Sequence, residues 1–192
     1  MYIVFEGIDG AGKSTQIGML KDWLEANGFG VETLVEPTDS EVGRLIRKIL
    51  QRPDAQSDRV QKTLALLFAA DRMLIMDKLE DESKIIISDR SFISSLAYQE
   101  PAEWVEVLNK YAKKPDLLIL LDLDVKKSVA RTSGEDTFEN VEFLTGVKEN
   151  YLKLAEDFTC EIIDAGNGVN KVSSDIKKAV APYLGICPDC IQ

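Results

Sequence analysis

The sequence predicts an α/β domain built on a parallel β-sheet with helices on both faces. Three observations carry this reading. Five short apolar runs alternate with longer segments of helical periodicity, the pattern of successive βαβ units. The runs are nearly continuous in apolar residues, as strands covered on both sides should be. The first run, Tyr2-Ile3-Val4-Phe5, leads directly into Gly7-Ile8-Asp9-Gly10-Ala11-Gly12-Lys13-Ser14, a G-x-x-x-x-G-K-S loop between a strand and a helix. A length of 192 residues suits one domain, 1–192, with a real core, and no repeat, low-complexity stretch or linker divides it.

The elements follow in order. Strands are predicted at Tyr2–Glu6, Val31–Glu36, Ile85–Ser88, Leu117–Leu123 and Glu161–Asp164. The helix from Lys13 to Ala26 carries Ile17, Leu20, Trp23 and Leu24 at helical spacing and stops at Asn27-Gly28. Glu41 to Leu50 places Val42, Leu45, Ile46 and Ile49 on one stripe, and a long helix from Arg59 to Leu79 does the same with Leu64, Leu67, Phe68 and Leu74. Pro101 opens a helix through Tyr111, matching proline's preference for a first turn. Val125 to Arg131 and Phe138 to Phe158 flank a polar break, and Val169 to Tyr183 closes the chain.

Charge narrows the function. The chain has 33 acidic and 23 basic residues, a net charge of −10, and no histidine. So acidic a surface argues against broad binding to a nucleic-acid backbone. Any mechanism with a histidine base is excluded, and anionic ligands must be met by locally gathered arginines. The longest apolar run, Leu117–Leu121, is far too short to cross a bilayer. With a strand already at the N-terminus, the expectation is a cytoplasmic protein without a signal peptide. Cys160 reads as packing beside a strand. Cys187-Pro188-Asp189-Cys190, in the tail 187–192, is half a zinc site at best, and paired or free tail thiols explain it as well.

In open parallel sheets ligands sit at the carboxyl ends of the strands. Those ends here carry the glycine-rich loop, then Glu36-Pro37-Thr38, Asp89-Arg90-Ser91, Asp122 with Asp124, and Asp164-Ala165-Gly166-Asn167. The glycines allow backbone N–H groups to face phosphate oxygens, and the following helix adds its positive end. Lys13 would reach the terminal phosphates and the Ser14 hydroxyl would bind Mg²⁺.

Several segments together resemble the thymidylate kinases, P-loop enzymes that phosphorylate dTMP with ATP. They are Phe5-Glu6-Gly7 through Ser14-Thr15-Gln16, Glu36-Pro37, Leu67-Phe68-Ala69-Ala70-Asp71-Arg72, and Asp89-Arg90-Ser91-Phe92 through Ala97-Tyr98-Gln99. The resemblance spans essentially the whole chain. It implies a three-layer P-loop kinase fold with a five-stranded sheet in the order 2-3-1-4-5, a short lid near 131–139, Mg²⁺ with ATP, and a homodimer. It places Gly7, Ile8, Asp9, Gly10, Ala11, Gly12, Lys13, Ser14 and Thr15 against ATP. Arg47, Arg72 and Arg90 would grip the acceptor phosphate, and Arg90 would also touch the transferred group. Asp89 would hold Mg²⁺ through water. Phe68 and Tyr98 would stack on the acceptor base, with Ser94 near its edge. Asp9 would meet the 3′-hydroxyl, and Glu36 would order sugar or water contacts. The loop from Asp164 to Asn167 would lie on the adenine side.

The chain departs from the family pattern in one respect. Members carry a catalytic basic residue in the phosphate loop or several arginines in the lid. Position 10 here is glycine, and the segment from Arg131 to Glu139 has one arginine and three acids. The expectation is that Arg131 swings over the phosphates. Two rivals remain open at this point: a kinase of another nucleoside monophosphate, or a nucleotide-dependent switch without kinase activity.

Overall fold

The structure, a computed structural model, describes residues 1–132 and 141–187. Five parallel strands form one sheet: β1 (Tyr2–Glu6), β2 (Val31–Val35), β3 (Ile85–Asp89), β4 (Leu117–Asp122) and β5 (Cys160–Asp164). Their order is β2-β3-β1-β4-β5, as the resemblance implies. The register sets Phe5 beside Asp89 and Glu6 beside Leu120. The chain therefore leaves β1 and β3 side by side, and these two exits build the site.

The helices are α1 (Lys13–Ala26), α2 (Glu41–Leu50), α3 (Asp58–Met73), α4 (Met76–Leu79), α5 (Phe92–Tyr98), α6 (Ala102–Leu108), α7 (Val125–Arg131), α8 (Val141–Ala155) and α9 (Val169–Val180). Right-handed crossovers place them. The step from β1 to β2 runs one way across the sheet and every later step runs back, so α1 covers one face and the helices from α2 to α8 the other. After β5, α9 returns to pack on α1, while α5 and α8 pack together opposite. The main core holds β1, β3 and β4 with Leu20, Leu24, Ile93, Val147, Tyr151 and Ile176. A second cluster of Ile46, Val60 and Leu64 joins α2 to α3.

Four differences from the sequence reading have physical causes. The helix expected from Arg59 to Leu79 breaks after Met73. Val60 and Leu64 serve the second cluster whereas Ile75 and Leu79 serve the main core, so the chain turns between the two. The helix α5 is new: it has seven residues, too few for a periodic signal, and starts because the Ser91 hydroxyl accepts from the Ile93 N–H at 3.2 Å. Edge strands β2 and β5 are covered less than expected, with Val35 and Ile162 about half exposed, because each pairs on one side only. The last helix ends at Val180 and tightens into a 3₁₀ turn over Ala181–Leu184, where Pro182 lacks the N–H needed to continue. The helix expected through Tyr111 closes earlier, at Leu108. Residues 133–139 of the expected lid, and Cys190, lie outside the described residues.

Candidate active site

The glycine-rich loop takes a shape that only glycine allows at its first position. Gly7 has φ of 138°, and a Cβ there would stand 2.6 Å from the Leu121 carbonyl oxygen. Gly12, with φ of 92°, turns the chain into α1, whose N-terminus faces the loop. Lys13 folds back inside it, donating to the Gly7 carbonyl at 2.9 Å and the Ile8 carbonyl at 3.2 Å. Burial and the nearby Arg90 charge lower its pKa from 10.5 to about 8. From the far side, the Ser128 hydroxyl of α7 donates to the Asp9 carbonyl at 2.6 Å, pinning the loop between β1 and α7.

The end of β3 supplies the opposing wall. The Ser14 hydroxyl donates to Asp89 Oδ2 at 2.8 Å. Arg90 follows with φ of 73°, a left-handed conformation that costs a non-glycine residue roughly 1–2 kcal/mol. Two bonds hold it there: its N–H donates to the Phe5 carbonyl at 3.0 Å, and the Ser88 hydroxyl donates to its carbonyl at 2.7 Å. The strained backbone aims the guanidinium across the cleft, where Nη2 pairs with Asp9 Oδ1 and the group lies 5.4 Å from the centre of the Tyr98 ring. Asp9 also stands 3.9 Å from Lys13 Nζ. Its burial acts to raise the carboxyl pKa, but Arg90 and Lys13 outweigh that and leave it lowered.

Beside this cleft, α3 clamps the segment after β2. Glu36 is buried and accepts from Arg72 Nε at 2.6 Å. Arg72 is buried too, and its remaining bonds run to Asn109 Oδ1 at 2.6 Å, the Ser91 carbonyl at 3.1 Å and Ser95 Oγ at 2.8 Å. Burial raises the Glu36 pKa despite the arginine beside it. The preceding residue, Asp71, accepts from the Thr38 N–H at 2.7 Å and from the Thr38 and Ser40 hydroxyls at 2.6 Å each. Arg47 donates to the Pro37 carbonyl and, at 2.8 Å, to the Thr38 carbonyl, with much of its side chain in solvent. Phe68 lies on the α2–α3 cluster with the Arg72 guanidinium 5.7 Å from its ring centre.

These walls enclose an open cleft of about 330 Å³ lined by Asp9, Gly10, Gly12, Lys13, Ser14, Thr15, Val35, Glu36, Asp89 and Arg90. Half of the residues expected in the site therefore line one cleft, and Val35, which was not expected there, joins them. Arg47, Phe68, Arg72, Ser94 and Tyr98 stand behind or beside that lining. Arg131 ends α7 and donates to the Gly10 carbonyl at 3.1 Å, next to the loop. Of the remaining strand-end acids, Asp122 pairs with Lys148 at 2.5 Å and Asp124 caps α7. Asp164 closes its own turn by accepting from the Gly166 N–H at 2.8 Å.

Against this geometry, the family comparison is decisive. The model of the family described as thymidylate kinase matches residues 5–176. The chain belongs to the thymidylate kinase family. It is similar to the probable thymidylate kinase of Methanobrevibacter smithii, at 78% identity over 192 residues and the full length of both chains. It is also similar to the probable thymidylate kinase of Methanothermobacter thermautotrophicus, at 47% identity over 97% of each. A solved thymidylate kinase from Candida albicans shares the fold, with a TM-score of 0.79 at 23% identity, covering 95% of this chain and 92% of the other.

For a thymidylate kinase, the fit of Mg²⁺ can be tested on the oxygen donors. No group of three or more His, Cys, Asp or Glu side chains gathers as a metal cage among the described residues. The Ser14 hydroxyl and the Asp89 carboxylate do converge at the cleft wall. One or two protein oxygens, with water and phosphate supplying the rest, is the arrangement Mg²⁺ prefers, so the residues fit. Sequence reasoning missed Glu6, Asp71 and Tyr151, which support the walls of this cleft from behind. An acid at the end of an otherwise apolar strand signals a buried, paired charge, and Glu6 carries that signal. Tyr151 carries none, because only the tertiary packing brings α8 to the end of β1.

Proposed function

We propose that phosphoryl transfer takes place in the cleft between the ends of β1 and β3, with the γ-phosphoryl group of ATP passing to dTMP. Family membership makes the chain an ATP-dependent dTMP kinase that forms dTDP for deoxythymidine nucleotide biosynthesis. The observation that carries the residue assignment is the meeting of Lys13, Arg90, Asp9, Ser14 and Asp89 on one cleft, at the N-terminus of α1.

Phosphoryl transfer needs alignment and charge compensation more than a base. The acceptor phosphate is already anionic near neutral pH and attacks without losing a proton, which suits a chain without histidine. The loop from Gly7 to Thr15 offers its N–H groups to the donor phosphates, and Lys13 leaves the Gly7 and Ile8 carbonyls to join them. Arg90 lies at the junction of donor and acceptor. Asp9, which pairs with Arg90 across the cleft, turns to the acceptor sugar once phosphate takes its place. Ser14 and Asp89 would hold Mg²⁺, which when bound would neutralise charge on the donor phosphates. Glu36 lines the acceptor side, fixed by Arg72, and Arg47 stands at its outer rim. Phe68 and Tyr98 flank the base, and Arg131 approaches from α7 to complete the cationic ring.

The same reading has two copies working as a dimer, since Leu45, Leu66, Met73 and Leu74 of the α2–α3 region are exposed. Sedimentation of the free protein tests this. No helix among the described residues is long and apolar enough to cross a membrane. A coupled assay with ATP and Mg²⁺, comparing dTMP, dUMP, UMP and CMP as acceptors, tests the central claim. Turnover is expected to be highest with dTMP, and activity confined to another acceptor would refute it.

A further inference from the structure

Behind the cleft lies a closed hydrogen-bond network that the phosphoryl-transfer chemistry does not itself use. Glu6, the last residue of β1, is completely buried. Its Oε1 accepts from the Ser91 N–H and the Ser91 hydroxyl, both at 2.9 Å, and from the Ser94 N–H at 3.1 Å. Its Oε2 accepts from the Ser94 hydroxyl at 2.6 Å and from the Tyr151 hydroxyl at 2.8 Å. Those same two hydroxyl oxygens face Arg90 Nη1, at 3.1 Å and 3.4 Å.

Proton direction decides what this network does. Each hydroxyl has one proton, and for each the shortest contact is Glu6 Oε2. Burial, and then the Glu6 charge, raise the Tyr151 pKa, so the phenol keeps its proton to donate. The two hydroxyls also lie 2.9 Å apart, and either can donate to the other. Arg90 Nη1 can only donate, so toward it both oxygens act as acceptors. The guanidinium is thus seated from behind by Ser94 and Tyr151 while its Nη2 edge faces Asp9 and the cleft.

We infer that Glu6 is a positioning residue for phosphoryl transfer, acting through the Ser94 and Tyr151 hydroxyls to seat the Arg90 guanidinium at the cleft. This rests on Arg90 working at the transferred group. Tyr151 belongs to α8, so the seat joins β1, α5 and α8 at a single carboxylate. Such a chain of charge-assisted bonds fixes a guanidinium within the narrow tolerance that catalysis requires.

The isosteric change Glu6→Gln exposes the polarity. The two backbone N–H groups at Oε1 cannot reverse, so the amide oxygen must stay there and the NH₂ must take the place of Oε2. It then donates to Ser94 and Tyr151, whose own protons lose their acceptor: one can pass to the other hydroxyl, 2.9 Å away, and at least one is left facing Arg90. Tyr151→Phe keeps the ring, which packs 6.0 Å from Tyr98, and removes only the hydroxyl. The test measures kcat, the KM for ATP and thermal unfolding for Glu6→Gln, Tyr151→Phe, Arg90→Lys and the double change Tyr151→Phe with Arg90→Lys. Each of the first two changes is expected to lower kcat about tenfold or more with the KM for ATP within about twofold. Tyr151→Phe is expected to add little once Arg90 is lysine, because the two share one function. Full additivity in the double variant, or an unchanged kcat in Tyr151→Phe, overturns the positioning role while leaving Arg90 in place. An unchanged kcat in Arg90→Lys overturns the assignment of Arg90 and the positioning role with it. Should Glu6→Gln fail to fold, Tyr151→Phe and the double variant decide the matter alone.

Discussion

The Ser14 hydroxyl donates to Asp89 Oδ2 at 2.8 Å, joining the first turn of α1 to the last residue of β3. The contact brings together the two oxygens that the proposed function gives to Mg²⁺, one from the phosphate loop and one from the neighbouring strand. Asp89→Asn keeps the shape and removes the charge. Residues that support or indirectly hold a metal typically cost about 10–100-fold when changed, so kcat should fall by about that factor. The Mg²⁺ concentration for half-maximal rate should rise, measured by titrating the metal at saturating ATP and dTMP. An unaltered metal requirement would place the ion elsewhere.

Lys13 makes ATP binding sensitive to pH. Its pKa is lowered to about 8, chiefly by burial and then by Arg90. As the pH of the medium rises through that value the loop loses the cation that meets the donor phosphates in the proposed reading. ATP affinity, measured by calorimetry without acceptor, should weaken by about tenfold between pH 7 and pH 9. Stability moves the other way. Because the folded pKa lies below the unfolded value of 10.5, keeping Lys13 charged opposes folding below about pH 8. That cost fades as pH climbs from 8 toward 10.5. Lys13→Met should therefore melt higher than the parent at pH 7, with the gap closing at alkaline pH.

Arg72 and Arg47 should separate stability from acceptor binding. Arg72 is buried against Glu36, so Arg72→Met leaves an uncompensated carboxylate and should cost about 3–5 kcal/mol in urea unfolding. Arg47 is partly in solvent, with an ion pair to Asp39 at 3.4 Å that contributes about 0–1 kcal/mol. Arg47→Ala should leave the unfolding midpoint nearly unchanged. It should raise the KM for dTMP about tenfold, the usual scale for one lost bond to a charged group. Equal losses of stability in the two variants would contradict this division.

Arg131 is the one basic group of the expected lid segment, and it already touches the phosphate loop through the Gly10 carbonyl at 3.1 Å. An arginine that stabilises charge in the transition state is worth about 10³–10⁵ in turnover elsewhere. Arg131→Ala should lower kcat by at least about a hundredfold and leave dTMP binding intact, read by steady-state kinetics and equilibrium titration. Unchanged turnover would remove Arg131 from the mechanism.

Local patterns in the chain were enough to determine the strand and helix alternation, the phosphate loop, and α1 and α2 to the residue. They also put Lys13, Ser14, Asp89 and Arg90 at strand ends on one rim, whereas Asp9 was singled out only through the family resemblance. These signals are short in range: a run of apolar residues, a glycine spacing, a polar group where a strand ends. Tertiary structure alone decided what lies behind the cleft. Arg72 became half of a buried pair because α3, α5 and α6 close around it. Ser94 bonds to Glu6 because α5 caps the end of β1. Arg90 adopted its left-handed turn because the register puts Phe5 next to Asp89. Each outcome depends on which charges share a low-dielectric space, and contacts such as Glu6 to Tyr151, 145 residues apart, leave no mark on local sequence.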